Sequence, residues 1–168
     1  MMKAHCLLCG EELHEITLEK RVRQACPHCG WVYYPQLKVS AGVLLEENGT
    51  LLLVQRGIEP WKGCWYLPAG YLEVDEDPTL GAMRETFEET GLEVKITGLR
   101  TVSMYQDDPR GNGILIVYNA VRAGGKLRGS DESMSVGFYS KEQIDKLPLA
   151  GSSHTRAIQD WIKEKENK

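Results

Sequence analysis

The chain has 168 residues, enough for one globular domain of ordinary size and a small appendage. Hydrophobic residues make up 42% and charged residues 26%, the balance of a folded soluble protein, and no apolar run is long enough to span a membrane. The formal net charge of −4 excludes a global positive field for nucleic acid, and the N-terminal MMKAHCLLCG lacks the apolar stretch of a secretion signal, so a cytoplasmic protein is expected.

The chain opens on four regularly spaced cysteines. Cys6-Leu-Leu-Cys9 and Cys26-Pro-His-Cys29 are two CxxC knuckles with 16 residues between them, the spacing of a four-cysteine zinc site. In a reducing compartment this pattern favours metal ligation over disulfides, with a redox pair as the alternative. Leu13–Thr17 and Arg21–Ala25 read as two short strands between the knuckles, so residues 1–36 look like a zinc ribbon. His28 is read as a surface residue. The segment has four cations (Lys3, Lys20, Arg21, Arg23) and four anions (Glu11, Glu12, Glu15, Glu19), so it is no basic patch. A core this small needs a staple, and structural zinc supplies one. The unit is read as a packing element, with a homodimer as one use for it.

A second domain is expected over residues 37–168. Leu37–Leu45 is an apolar, β-branched strand, Glu47-Asn48-Gly49 a hairpin turn, and Leu51–Arg56 the partner strand. Trp65–Ala69 leads into an acidic stretch. Val94–Gly98, Thr101–Gln106 and Gly113–Arg122 read as further strands, with Asp107–Asn112 a turn-rich loop. A short helix is expected after Ser140 and a last one from Ser152 to Glu166, with Ile158, Trp161 and Ile162 inward and Ser153 as its cap. Strands around one central helix, followed by a terminal helix, predict an α+β fold of the α/β/α sandwich type.

The acidic stretch runs from Gly70 to Leu92 and holds seven carboxylates against one cation, Arg84. Asp77 and Pro78 read as N-cap and first residue of a helix that Gly91 ends. Leu80, Met83 and Phe87 fall on one side, the expected core face. Glu85, Glu88 and Glu89 fall on the other, where they repel one another and oppose the helix dipole. A solvated acidic face would look the same, but hard divalent cations also prefer such oxygen ligands.

The order of residues carries more. The stretch resembles the Nudix box, G-x5-E-x7-R-E-U-x-E-E-x-G-U, with Gly70, Glu76, Arg84, Glu85, Glu88, Glu89, Gly91 and Leu92 at the fixed positions and Thr86 at the first apolar one. The resemblance covers residues 37–168. It implies hydrolysis of a nucleoside diphosphate linked to another moiety, with Mg²⁺ or Mn²⁺ held by Glu85, Glu88 and Glu89. It also implies a role for the carbonyl of Ala69, which replaces a glycine usual in the family. The ribbon followed by the box resembles NADH pyrophosphatases and a related group acting on FAD and ADP-ribose. The downstream SQPWPFPxS signature of the NADH group is missing, which favours the second group.

Arg84 is expected to orient Glu85 or Glu89, and Glu76 to anchor the loop. The base is a box glutamate or Glu132, with Asp131 also considered. Arg56 and Arg110 are candidate phosphate contacts. Tyr105, Trp65 and Tyr66 are candidates to stack on a ring. Cys64 is read as buried and inert, and His5, His14 and His154 show no ligand spacing. The substrate is thus expected to be a small nucleotide. The readings kept beside it are an NADH pyrophosphatase-like enzyme, a hydrolase of NAD-capped RNA, and a Nudix domain kept as a nucleotide sensor or nucleic-acid binder.

Overall fold

The structure is a computed structural model and describes residues 4–166; Lys3, counted above, lies outside them. It divides into two compact units, one ending at Gln36 and the other beginning at Leu37.

In the first unit β1 (His14–Leu18) and β2 (Arg21–Ala25) form an antiparallel hairpin, and β3 (Val32–Tyr33) pairs with β2. The hairpin turns on Glu19 and Lys20, with φ of 49° and 63°. Two consecutive left-handed residues match the twist of the flanking strands, here without glycine.

In the second unit β4 (Lys38–Glu47) and β5 (Thr50–Arg56) form a hairpin over Asn48 and Gly49, whose φ values are 51° and 78°. The short β6 (Trp65–Tyr66) and β7 (Ala69–Tyr71) pair with β5 and β4. After α1 (Pro78–Thr90) come β8 (Leu92–Tyr105), β9 (Gly113–Gly125), β10 (Ser133–Tyr139), α2 (Lys141–Ile144) and α3 (Ser152–Glu166). Among the described residues the main sheet runs β10-β5-β4-β9-β8 and is antiparallel except for the parallel pair of β4 and β9.

Alternation along the central strands divides the core in two. Ala41, Val43 and Leu45 of β4 join Leu52 and Ala82 of α1 on one face. Leu44, Leu51 and Leu53 join Ala157, Ile158 and Trp161 of α3 on the other. A helix on each face of a mixed sheet is the expected α/β/α sandwich.

Four expectations need correction. The face that α1 buries is Gly81, Ala82, Thr86 and Thr90, while Leu80, Met83 and Phe87 are 60%, 36% and 43% exposed. The helix lies close to the strands, so small residues fit beneath it and the large apolar ones are turned outward. Thr86 and Thr90 are tolerated there because each hydroxyl donates to the carbonyl four residues back, Ala82 and Thr86 respectively, at 2.6 Å. The two strands expected over 94–106 are one long β8, whose register shifts take up the polar and glycine residues between them. Ser153 is a buried helical residue and no cap; the first turn of α3 is held by Asp107, which accepts from the Ser152 amide at 2.7 Å and its hydroxyl at 2.8 Å. Finally, β10 has no counterpart among the expected strands.

Candidate active site

Local sequence sets where α1 begins and ends. Asp77 accepts from the Thr79 amide at 2.8 Å, Pro78 supplies the preset φ of the first turn, and Gly91 at φ 69° donates to Phe87. Between these stops the acidic face of α1 meets the loop formed by β6 and β7.

Arg84 organises that face. Its Nε and Nη2 donate to the two oxygens of Glu76, each at 2.7 Å. Its Nη1 donates to Glu85 at 2.7 Å and Glu88 at 3.1 Å, and its Nη2 also donates to the Tyr71 carbonyl at 3.1 Å. The guanidinium therefore holds Glu76, Glu85 and Glu88, but not Glu89. Bonding to Arg84 keeps Glu76 below the usual carboxylate range. Glu85 is pushed above it by burial, against the pull of Arg84.

Glu85 lies directly on Gly70. A Cβ at that position would stand 2.1–2.3 Å from the Glu85 carboxyl atoms, so only glycine admits the contact. The requirement is space and not a tight turn, because Gly70 has no left-handed φ.

Glu89 is held separately. Its Oε1 accepts from the Tyr66 hydroxyl at 2.5 Å and its Oε2 from the Ala69 amide at 3.0 Å. Burial pushes its carboxyl up to about 8, outweighing both hydrogen bonds. Burial and the adjacent Glu89 likewise raise Tyr66, which keeps the phenol as the donor. Ala69 is not in the left-handed region, so replacing glycine there imposes no backbone strain.

A cavity of about 330 Å³ opens beside these groups, and Glu85, Glu89 and Glu132 are on its wall. The structure also brings Arg56, Tyr105 and Arg110 to it. Arg56 donates to the Pro60 carbonyl at 2.9 Å, lies 5.2 Å from the Tyr66 ring centre, and pairs with no carboxylate among the described residues. Arg110 is held by Asp108 at 2.7 Å and sits 5.5 Å from the Tyr71 ring centre. Glu88 is off the cavity wall, with its carboxyl on Arg84 and more than half exposed.

Other expectations separate here. Trp65 is a core residue packed edge-on against Tyr139 at 4.6 Å and does not reach the cavity. Cys64 is only partly buried, beside the cluster of Val54, Tyr66 and Ala150. Sequence reasoning missed Trp61, Tyr71, Asp107, Asp108 and His154, which also line the cavity. It named Tyr66 only as a stacking candidate. Tyr66 and Glu89 are 23 positions apart on different elements, so no periodicity links them. Asp107 and Asp108 fall in a segment that reads as an ordinary turn.

The donor chemistry around Glu85, Glu88 and Glu89 suits a hard divalent cation: carboxylate oxygens, with burial raising Glu85 against the pull of Arg84 and Glu89 against that of Arg56. Tighter clustering is found in the first unit. The sulfurs of Cys6, Cys9, Cys26 and Cys29 all lie within 4.8 Å of one another, the one such group among the described residues. Cys6–Cys29, Cys9–Cys26 and Cys9–Cys29 stand at 3.5, 3.4 and 3.7 Å, close to the roughly 3.8 Å edge of a tetrahedral zinc–thiolate site. The Leu8 amide donates to Cys6 at 3.4 Å and the Cys29 amide to Cys26 at 3.5 Å. The cysteines are free of disulfides and fit a zinc ion.

An α/β/α sandwich that brings Glu85, Glu89 and Glu132 together with Arg56 and Arg110 on the wall of one cavity has the groups that hydrolysis of a phosphorylated compound needs. The NUDIX domain profile matches residues 36–161, so the chain belongs to the NUDIX family and is a hydrolase acting on phosphoanhydride bonds. The ADP-ribose pyrophosphatase of Methanocaldococcus jannaschii is 34% identical over 128 residues, 76% of this chain and 74% of that protein. The NAD-capped RNA hydrolase NudC of Yersinia enterocolitica is 29% identical over 94% of this chain, which spans only 59% of that relative. A crystal structure of a NUDIX hydrolase from Nitrosomonas europaea superposes with a TM-score of 0.84 at 28% identity, covering 99% of this chain and 93% of that one.

Proposed function

We propose that the chain is a divalent-cation-dependent pyrophosphatase of nucleoside diphosphate derivatives, with ADP-ribose or FAD preferred. The observation that carries this reading is the joining of Glu85 and Glu89 to Arg56 and Arg110 on the wall of one cavity. The likeness to an archaeal ADP-ribose pyrophosphatase supports the first substrate. FAD rests on the resemblance of the ribbon and box alone.

Glu85, Glu88, Glu89 and the Ala69 carbonyl are the groups that would hold Mg²⁺ or Mn²⁺. Bound there, the cation supplies charge neutralisation to the diphosphate and acidity to water. Arg84 keeps Glu85 and Glu88 oriented, with Glu76 fixing the guanidinium in turn. Arg56, free of a carboxylate partner among the described residues, binds diphosphate oxygens, and Arg110 adds a second contact. Tyr71 on the cavity wall offers its ring to a planar base, while Tyr105, expected to stack, is 8% exposed and belongs to the core beneath the cavity. Water attacks one phosphorus, its proton passes to Glu132, and the bridging P–O bond breaks. The products are a nucleoside monophosphate and a phosphorylated partner. Zinc on the four cysteines is structural.

The test is a panel of ADP-ribose, FAD, NADH and NAD-capped RNA, each with Mg²⁺ or Mn²⁺, reading AMP or capped-end release. Cleavage of ADP-ribose or FAD is expected to be fastest. Faster cleavage of NADH or capped RNA would move the assignment to that group, and no cleavage of any would leave the sensor reading.

A further inference from the structure

His154 sits in the first turn of α3 and faces the cavity. Its ring stands 5.5 Å from that of Tyr66 at 86°, an edge-on contact. Its Nδ1 is sealed from solvent with no hydrogen-bond partner, and among the described residues neither ring nitrogen bonds to protein. Buried polar atoms are nearly always satisfied, so an exception on the wall of a cavity calls for an explanation.

The surroundings say what kind of group completes this one. Burial first, then the Arg56 cation, hold the imidazole down at about 4, so it is uncharged at neutral pH. It therefore presents one N–H donor and one acceptor. A phosphate oxygen only accepts and has Arg56 beside it. A hydroxyl can either donate or accept, so it suits a ring nitrogen in either tautomer of a neutral imidazole. Trp61 lies over Gly151 at the same end of the cavity, with its ring 3.7 Å from where a Cβ would stand. That end thus sets aromatic rings, with Arg56 and Asp107 nearby, around one unpaired polar ring.

We propose that His154 is a specificity residue that hydrogen-bonds a ribose hydroxyl of the substrate and so selects against analogues lacking it. The proposal rests on the cavity being the pyrophosphatase site. It goes beyond that reading by assigning a residue and a substrate group.

The test uses full-length, metal-loaded protein and a series of ADP-ribose analogues, each lacking one ribose hydroxyl. The natural protein should lose about ten- to a hundredfold in kcat/KM on one member of the series. His154→Phe, which keeps a ring against Tyr66, should lose as much on ADP-ribose and no longer distinguish that member. His154→Gln should restore part of the discrimination. Unchanged discrimination in His154→Phe, or none in the natural protein, overturns the role while leaving the enzyme reading intact. If ADP-ribose is not cleaved at all, the imidazole nitrogen resonances of ¹⁵N-histidine-labelled protein decide. A shift on adding ADP-ribose, absent with one deoxy analogue, keeps the His154 site although the proposed activity has failed; no shift overturns both.

Discussion

Glu76 and Arg84 meet through two hydrogen bonds of 2.7 Å, a bidentate pair that ties the loop before α1 to the helix eight residues later. Because the same guanidinium holds Glu85, the loop glutamate reaches the acidic face without touching it. Glu76→Gln removes the charge and one acceptor oxygen from the fork and loosens a guanidinium that Glu85, Glu88 and the Tyr71 carbonyl still hold in part. Turnover of ADP-ribose should fall about tenfold to a hundredfold, the scale of a small misplacement of reacting groups. The melting temperature should change little. Steady-state kinetics beside thermal melts checks this, and unchanged turnover would make the pair a loop anchor only.

Two of the box glutamates give a sharper test. Glu88→Gln and Glu89→Gln should each fold, since neither belongs to the apolar core, and each should lower turnover by about two to four orders of magnitude. Glu132→Gln should match them if Glu132 takes the proton from water. A small effect of Glu132→Gln would return the base to a box glutamate. Near-natural turnover in both box variants would reduce the acidic face to solvated surface.

Most strands, the caps of α1 and the cysteine cluster were legible because each is written locally: in alternation, in Asp77-Pro78 and Gly91, and in two CxxC knuckles; β10 and the unbroken run of β8 were not. The inward face of α1 was not. Periodicity finds which residues share a side, but hydrophobicity chose the wrong side because close helix–sheet packing favours Ala82 and Thr86 over Phe87. At the site, box residues could be named from their order. The contacts of Tyr66 with Glu89, and of Asp107 with the start of α3, join distant elements and leave no local trace.

That misreading yields a stability prediction. Phe87→Ala should cost under about 1 kcal/mol, because the ring is 43% exposed and forms no part of either core. Trp161→Ala, at 1% exposure, should cost about 3–5 kcal/mol through the cavity it leaves and the lost bond from its indole N–H to Glu46. Urea unfolding of both variants checks the order, and the reverse order would restore the apolar stripe as the core face.

Chelation should separate the two units. Elemental analysis is expected to give about one zinc per chain. Stripping it should release four thiols to a thiol reagent and unfold the hairpin of β1 and β2, since so small a core does not fold without its metal. The sheet from β4 onward has its own core and should keep its strand signal. A metal-free preparation with protected thiols and an ordered hairpin would rule zinc out as the staple.

His154 also predicts how stability depends on pH. Its imidazole is held at about 4, below the ordinary value of 6.5, so the folded state binds the proton less readily than the unfolded chain. The stability it contributes is full above pH 6.5 and is lost as pH falls toward 4. At about 1.4 kcal/mol per pH unit, that interval amounts to about 3 kcal/mol. Carboxylates titrate over the same range in every variant, so the quantity to follow is a difference. Urea unfolding of the natural protein and His154→Phe at a series of pH values from 7.5 to 4 should show the variant gaining on the natural protein by about that amount. A difference that does not move with pH would mean the imidazole charges freely in the fold, and that its Nδ1 is not sealed as the structure has it.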